Sequence, residues 1–550
     1  MFVRRNLPLI AAFLGICLPA FASAASLHEE IDRLVAASAD GPLAARSSDA
    51  EFCRRVSLDL SGCIPSPAAV RAFLEDSDPQ KRTKLIDRLL QSPEFARRMQ
   101  EVTSVMLLDR REGKAIDDDA WNEWLRSAFV ADKPWNQLVR ELIAADGTEE
   151  RTRPAIRFFV DGGRTDAHLL TQDVARIFLG VSWQCAQCHD HPAFTDYKQS
   201  HYFGLYAFLN ASKVYTDKQS RSFLVEGVTK TKIEFVSVFM PDDKRNTGPN
   251  LLGMSEVKIP HLPTGEEFET KPKDGHPGVP RFRPRALLAE RLTHPSNRMF
   301  ARNAVNRFWF LMIGRGLVHP LDLHHSANPP SHPELLEKLT DAFIERSFDV
   351  RRLLREIALS ETYQRSGELT SKVTTSIRPE RLRVAIPKPL SAEQMARSLA
   401  EATGHRATLD STPSPKKSQF TYKDYVNGRL PTPDNWKDLQ ILFGAVFGHP
   451  AGQPEIDFRP SVEQSLFLSN DRLMSRWLED STDRLVDRLR KIEEPAGLAD
   501  ELYLTVLSRM PTSDERTEVG EFLKSASVRR NAVVDLCRAL LTSAEFRMNH

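Results

Sequence analysis

Apolar side chains recur at helical spacing through residues 67–145, for example Val70, Phe73 and Leu74, then Leu85, Leu89 and Leu90. Separations of three and four place them on one face of a helix, so this stretch predicts consecutive amphipathic helices. Residues 167–183 predict another helix, running directly into a Cys-containing segment. The pattern changes over residues 213–280, where Phe223–Val228 and Lys232–Phe239 alternate and are rich in β-branched residues. That is the period of strands, and it predicts a small sheet inserted between two helical regions. Helical spacing then resumes, broken at about 405–437, where Thr412-Pro413-Ser414-Pro415-Lys416-Lys417 predicts a surface loop or linker. The expected fold class is mainly α, built as multi-helix domains with a small β-rich insertion.

A degenerate repeat runs through the helical part. Arg54–Leu60 leads through Pro65-Ser66-Pro67 to Phe73-Leu74 and closes on Leu89-Leu90-Gln91-Ser92-Pro93-Glu94-Phe95. Near the C-terminus, Glu501–Leu507 leads through Pro511-Thr512 to Phe522-Leu523 and closes on Leu540-Leu541-Thr542-Ser543-Ala544-Glu545-Phe546. A looser middle copy runs from Val305–Trp309 through Pro330-Ser331 and Phe343-Ile344 to Ala358-Leu359-Ser360-Glu361-Thr362-Tyr363. Each reads as helix, Pro-containing turn, helix, then a second helix ending near a Ser, a Glu and an aromatic. We expect a recurring helical packing unit whose aromatic closes a small core.

Composition bounds the picture without sharpening it. With 550 residues, 41% hydrophobic and 27% charged, the chain suits roughly two to four globular domains. Its net charge of +1 points to no nucleic-acid partner and no polybasic membrane patch. The first residues carry an address. Arg4 and Arg5, the apolar stretch Leu7–Pro19 and the small-residue site Ala22-Ser23-Ala24 together predict a secretory signal peptide over residues 1–24. The apolar stretch is too short to persist as a membrane span, so a secreted, periplasmic protein is expected. Loss of Arg4 and Arg5 with the leader leaves 73 basic against 74 acidic residues, a net charge of −1.

The compartment matters because of Cys185-Ala186-Gln187-Cys188-His189. C-x-x-C-H is the spacing at which c-type haem is attached, each thiol adding across a porphyrin vinyl group and the histidine ligating the iron. Cys185, Cys188 and His189 are therefore the expected cofactor-binding residues, with His189 on the haem iron. His191 follows two residues later, so the segment also holds a donor set for zinc, made of His191 with Cys185 and Cys188. A disulfide between Cys185 and Cys188 is the third reading. A sixth haem ligand has candidates in Met106, His201, Met240 and Met254, and Trp183, Phe194, Tyr197, Tyr202 and Phe203 are available as pocket walls or plain core. Elsewhere, Cys53 and Cys63 are free to pair with each other, and Cys537 is left over.

Other candidate chemistry is weaker. Asp322, His324, His325 and His332 form a histidine-rich turn that suits a metal, a base or a solvated loop. Asn303, Asn306, Arg307 and Trp309 share a helix and suit a polar ligand or interdomain hydrogen bonds. Asp117-Asp118-Asp119 reads as solvated surface. The chain has no phosphate-binding Gly-rich loop, no Gly-x-Ser-x-Gly and no His-Glu-x-x-His.

These segments together resemble a family seen mainly in planctomycete-type bacteria, in which the domains of unknown function 1549 and 1553 are joined in one secreted protein. Residues 46–212 are similar to the first domain through Arg54–Gly62, Leu89–Pro93, Phe178–Val181 and Cys185–Pro192. Residues 285–550 are similar to the second through His294–Asn297, Asn303–Trp309, Gly314–Leu317 and Pro329–Leu336. The resemblance implies a cytochrome-like first domain and no established activity for the joined protein. The chain departs from the family pattern at Ala193, Tyr197 and Cys63, none of which touches the candidate ligands. The function expected is c-type haem binding with a redox or electron-transfer role, served by a redox partner protein. The alternatives are a non-haem scaffold stapled by a Cys/His metal site or disulfide, and an enzyme acting on an extracellular polymer.

Overall fold

The computed structural model describes residues 25–161, 164–229, 231–273, 278–369, 377–454, 461–479 and 483–550. The expected signal peptide, residues 1–24, lies outside them. The chain is mainly α-helical, and among the described residues the strands occur only as two-stranded antiparallel pairs. Among the described residues, no helix is long and apolar enough to cross a membrane.

The repeated sequence unit is a repeated structural unit, with one difference from its expected outline. The closing Ser does not end a helix but begins the next. Ser92, Ser360 and Ser543 each accept a hydrogen bond from the backbone N–H three residues on, at Phe95 (3.3 Å), Tyr363 (3.2 Å) and Phe546 (3.1 Å). This satisfies one of the free donors at a helix start. It also turns each aromatic inward, and Phe95, Tyr363 and Phe546 are all buried.

Two hydrophobic cores result. One gathers side chains from Ile31 to Leu382, spanning the first helices and those flanking the middle copy. The other gathers residues from Leu390 to Phe546 and reaches back to Leu58, Cys63 and Ile64. The helix Asp49–Ser61 lies between them, giving Phe52, Val56 and Leu60 to one core and Leu58 to the other. Its polar residues are consequently buried and must find partners inside the protein. Arg54 donates to the carbonyls of Val506 (3.3 Å) and Phe546 (2.8 Å), and Arg55 to those of Tyr363 (2.6 Å) and Arg365 (2.8 Å). Asp59 accepts from Tyr363 Oη (2.8 Å), Lys388 Nζ (2.5 Å) and Asn549 Nδ2 (2.8 Å). The first repeat copy thus grips the closing turns of the other two.

Four expectations are corrected. Cys53 and Cys63 are free thiols rather than a disulfide, because they point into different cores. The inserted region forms separate ribbons rather than one sheet: β1 (Ser212–Thr216) with β2 (Ser222–Glu226), β3 (Ile233–Ser237) with β4 (Met240–Thr247), and β5 (Phe268–Thr270) with β6 (Val279–Pro280). Strands this few, packed on helices rather than on one another, have no shared face to bury. Residues 405–437 carry short helices, Arg406–Ser411 and Tyr422–Val426, anchored by buried Leu409 and Tyr425, and the stretches Pro413–Lys417 and Val426–Arg429 are exposed throughout. Finally, the helix expected over 167–183 runs as α-helix only to Val174, widens into a π-helical turn at Ala175–Leu179 and stops at Gly180.

Candidate functional site at the Cys-His turn

Gly180 sets the entry to the site. Its φ of +71° is left-handed, and a Cβ there would lie 2.7 Å from Asn303 Oδ1 and His324 Cδ2. Only glycine gives both the conformation and the close approach. The Gly180 carbonyl accepts from His324 N (3.0 Å), and Val181 bridges to Leu323, so the segment entering the motif lies along the histidine-rich turn.

The motif itself is one 3₁₀ turn, Cys185–Gln187. Cys188 N and His189 N donate to the Cys185 carbonyl at 3.1 and 3.2 Å. In this geometry side chains three apart eclipse one another. Ala186 is 1% exposed and plugs the core, while Cys185 and Cys188 are both exposed free thiols. The turn therefore presents two thiols outward on a buried footing.

The two histidines of the segment are held differently. His189 Nδ1 lies 2.8 Å from the Asp190 carbonyl, which only accepts, so Nδ1 carries the proton and Nε2 keeps its lone pair. His191 Nδ1 instead accepts from Ala193 N (3.2 Å), which leaves the proton on Nε2 of the neutral ring. His191 also stacks on Phe194 (3.6 Å between centroids), whose other face stacks on His325 at 4.0 Å and 2°. His191 is thus a member of an interdomain aromatic stack. Among the described residues, no three His, Cys, Asp or Glu side chains converge to hold a metal ion.

The remaining candidates find separate places. Asn303 Nδ2 donates to Ile177 O (2.7 Å), Asn306 Nδ2 to Val318 O (2.9 Å), and Arg307 to Arg176 O (2.8 Å) and to Asp322. Asn303 and Arg307 thereby join the two halves of the chain, Asn306 braces the second half at Val318, and Trp309 is core. His332 precedes the helix Pro333–Glu345, buried, with Nδ1 3.1 Å from Ser331 Oγ. Asp117 caps the helix Asp118–Val130 through the N–H groups of Asp119 and Ala120. Trp183, Tyr197 and Tyr202 are core, and Phe203 packs against it, as do Met106 and Met254. His201 Nδ1 meets the Asp196 carbonyl at 3.0 Å, and only Met240 stands largely exposed, at 52%.

Sequence reasoning missed two features of the site. Buried Gln199 clips it together, donating to Gln187 O (3.4 Å) and Val236 O (3.0 Å) and accepting from Arg245 (2.9 Å). The β3–β4 hairpin also touches the motif, with Val238 N donating to Cys188 O (3.0 Å) and the Phe239 ring 4.8 Å from His189. The signal was present in Val238-Phe239-Met240, an apolar run at the hairpin tip, with Val238 and Phe239 in the turn where polar residues are usual.

Beneath the π-helical turn lies a buried charge network that left no sequence signal. Asp173 accepts from Arg164 (2.6 Å), Arg111 (2.6 Å) and Arg176 (3.1 Å), and Asp109 from Arg176 (2.5 Å). Burial resists ionisation of Asp173, but Arg164, Arg176 and Arg111 outweigh it and hold the carboxyl at about 2.

His324 supplies a pH test of the junction. Burial, reinforced by Arg307, Arg302 and His325, lowers its pKa to about 4, and Asn306 Nδ2 lies 3.4 Å from its Nε2. Protons bind the unfolded ring near 6.5 but not the folded one until about 4. Stability contributed by the neutral ring is therefore complete above pH 6.5 and falls as pH drops to about 4, by up to about 3 kcal/mol, less what solvent at the ring edge screens. Urea unfolding of wild type and His324→Gln across this window should show the wild-type slope exceeding the variant's, and equal slopes would contradict the assignment.

The residues present fit a c-type haem. Two outward thiols share one turn, and the adjacent imidazole keeps Nε2 free for a metal while its other nitrogen is fixed by a carbonyl. Two water-sized cavities, about 20 Å³ beside Tyr363 and Lys388 and about 10 Å³ beside Met106 and Asn303, lie away from the turn. Both thiols are themselves exposed.

Comparison with known families agrees with this two-part construction. The PSCyt2 family model, described as a protein of unknown function (DUF1549), matches residues 30–214, which include the whole Cys-His turn. The PSD1 model, described as a protein of unknown function (DUF1553), matches residues 284–523, which include the histidine-rich turn docked on it. No curated protein and no solved structure matches the chain. The chain therefore belongs to the proteins that join a DUF1549 domain to a DUF1553 domain in tandem.

Proposed function

We propose that this protein carries haem covalently on Cys185 and Cys188, with His189 as the proximal iron ligand, and serves electron transfer outside the cytoplasm. The observation that carries the reading is the 3₁₀ turn, which exposes both thiols beside an imidazole whose Nε2 lone pair is free. The family name PSCyt2 points the same way. When bound, haem supplies one-electron redox chemistry. The chain's own residues anchor and orient it. The thiols hold it, the Asp190 carbonyl fixes the His189 tautomer, and Gln199 keeps the turn against its surroundings. Export under the leader of residues 1–24 would bring the thiols to the compartment where such haem is attached, and a redox partner protein would exchange the electron.

The test is a visible absorption spectrum of protein secreted from a host with cytochrome c maturation, with a denaturing gel stained for haem. The expected result is a Soret band and haem that survives denaturation, both lost in the Cys185→Ala, Cys188→Ala variant. Colourless protein from a host that matures a control cytochrome would overturn the reading, and zinc analysis of that sample would then separate a metal site from a disulfide.

A further inference from the structure

We infer that the tip of the β3–β4 hairpin is the surface on which the porphyrin lies. The inference rests on the haem reading above and assigns that site a wall. Val236, Val238, Phe239 and Met240 are 41, 62, 74 and 52% exposed. Apolar exposure on this hairpin is confined to its tip, since the other outward positions include Glu234, Asp242, Asp243 and Lys244. A solvated turn has no reason to carry three consecutive apolar residues, and a clustered apolar patch marks a surface that something covers.

What covers it follows from where the tip is tied. Val238 N donates to the carbonyl of Cys188 (3.0 Å), and the Phe239 ring packs at 4.8 Å from the His189 imidazole. Gln199 holds the strand behind the tip, through Val236 O, to the same turn, through Gln187 O. A flat apolar group tethered through Cys185 and Cys188 and ligated by His189 must meet Phe239, because Phe239 flanks the ligating ring. The tip therefore walls the face of the porphyrin on which His189 sits. Phe239 is a positioning residue here, acting on the group and on the orientation of His189.

The wall is tested on the full chain by hydrogen–deuterium exchange over residues 233–247, comparing haem-loaded wild type with Cys185→Ala, Cys188→Ala protein. Loading should slow exchange at the tip about ten-fold. A second measurement uses Val238→Ser, Phe239→Ser protein, whose changes fall on exposed side chains. It should remain covalently loaded, with a shifted Soret band and a lower midpoint potential as water reaches the haem. Loaded protein with unchanged exchange at the tip, or a loaded variant with wild-type spectrum and potential, would overturn this inference and leave the tip to a protein partner. Wild-type protein that takes up no haem would instead overturn the reading on which it rests.

Discussion

Replacing Asp59 by Ala should destabilise the folded protein by about 3–5 kcal/mol, a large share of the folding free energy of an ordinary domain. The carboxylate is 2% exposed and holds three donors from distant parts of the chain: Tyr363 Oη, Lys388 Nζ and Asn549 Nδ2. Without it Lys388 keeps only the carbonyls of Leu311 (3.0 Å) and Met312 (2.7 Å), at the end of the helix Arg298–Ile313. Those carbonyls favour a cation but do not neutralise it. Burial already lowers the Lys388 pKa, so loss of its counter-charge drives the proton off and weakens the helix-end contacts as well. Tyr363 Oη and Asn549 Nδ2 are left without their acceptor. Asp59→Asn keeps an acceptor of similar shape and should cost less than Asp59→Ala. Equilibrium unfolding in urea measures both, and an Ala variant within about 1 kcal/mol of wild type would refute the account.

A comparable loss is expected from Asp173→Ala, again about 3–5 kcal/mol. Asp173 is the acceptor shared by Arg111, Arg164 and Arg176, and Arg164 is 1% exposed. Once the carboxylate is removed, Arg164 retains a long contact to Phe158 O (3.4 Å) and the face of the Phe158 ring, 4.4 Å away. Neither compensates a buried charge. Asp109 alone cannot serve the guanidiniums, since burial raises its own pKa against the pull of Arg176. The effect should extend beyond stability. Arg176 lies in the π-helical turn, and its carbonyl accepts from Arg307, so the loss loosens the junction beside the Cys-His segment. The readouts are the unfolding midpoint and the proteolytic sensitivity of residues 175–191, and an unchanged midpoint would contradict the prediction.

The helices and the repeat were legible in the sequence because each rests on local signals. Apolar spacing marks the buried faces, whereas the Ser three residues before Phe95, Tyr363 and Phe546, expected at a helix end, proves to cap the helix that follows. The ends of elements were less legible where tertiary contact decides them. The 167–183 helix ends at Gly180 in a left-handed cap, but that Asn303 and His324 close on this glycine, and so require it, shows only in the tertiary structure. The Cys185, Cys188, His189 constellation was visible because all three residues fall within five positions. That His191 turns to Phe194 and His325, and that Gln199 ties two segments to the turn, depends on groups far apart in the chain. The Asp173 network was invisible for the same reason. An Arg or Asp on a helix reads as surface until the elements around it are placed.

The grip of the Asp49–Ser61 helix on residues 363, 388, 506, 546 and 549 also sets an order on synthesis. Partners of Arg54 and Asp59 lie 452 to 492 residues further along the chain, so the polar groups of this helix are not all satisfied until those segments have been made. The core of residues 31–382 can gather earlier, but Leu58, Cys63 and Ile64 stay uncovered until the segments of the second core follow. Docking of this helix onto the second core is therefore a late, long-range step, made after the first core already has all its residues.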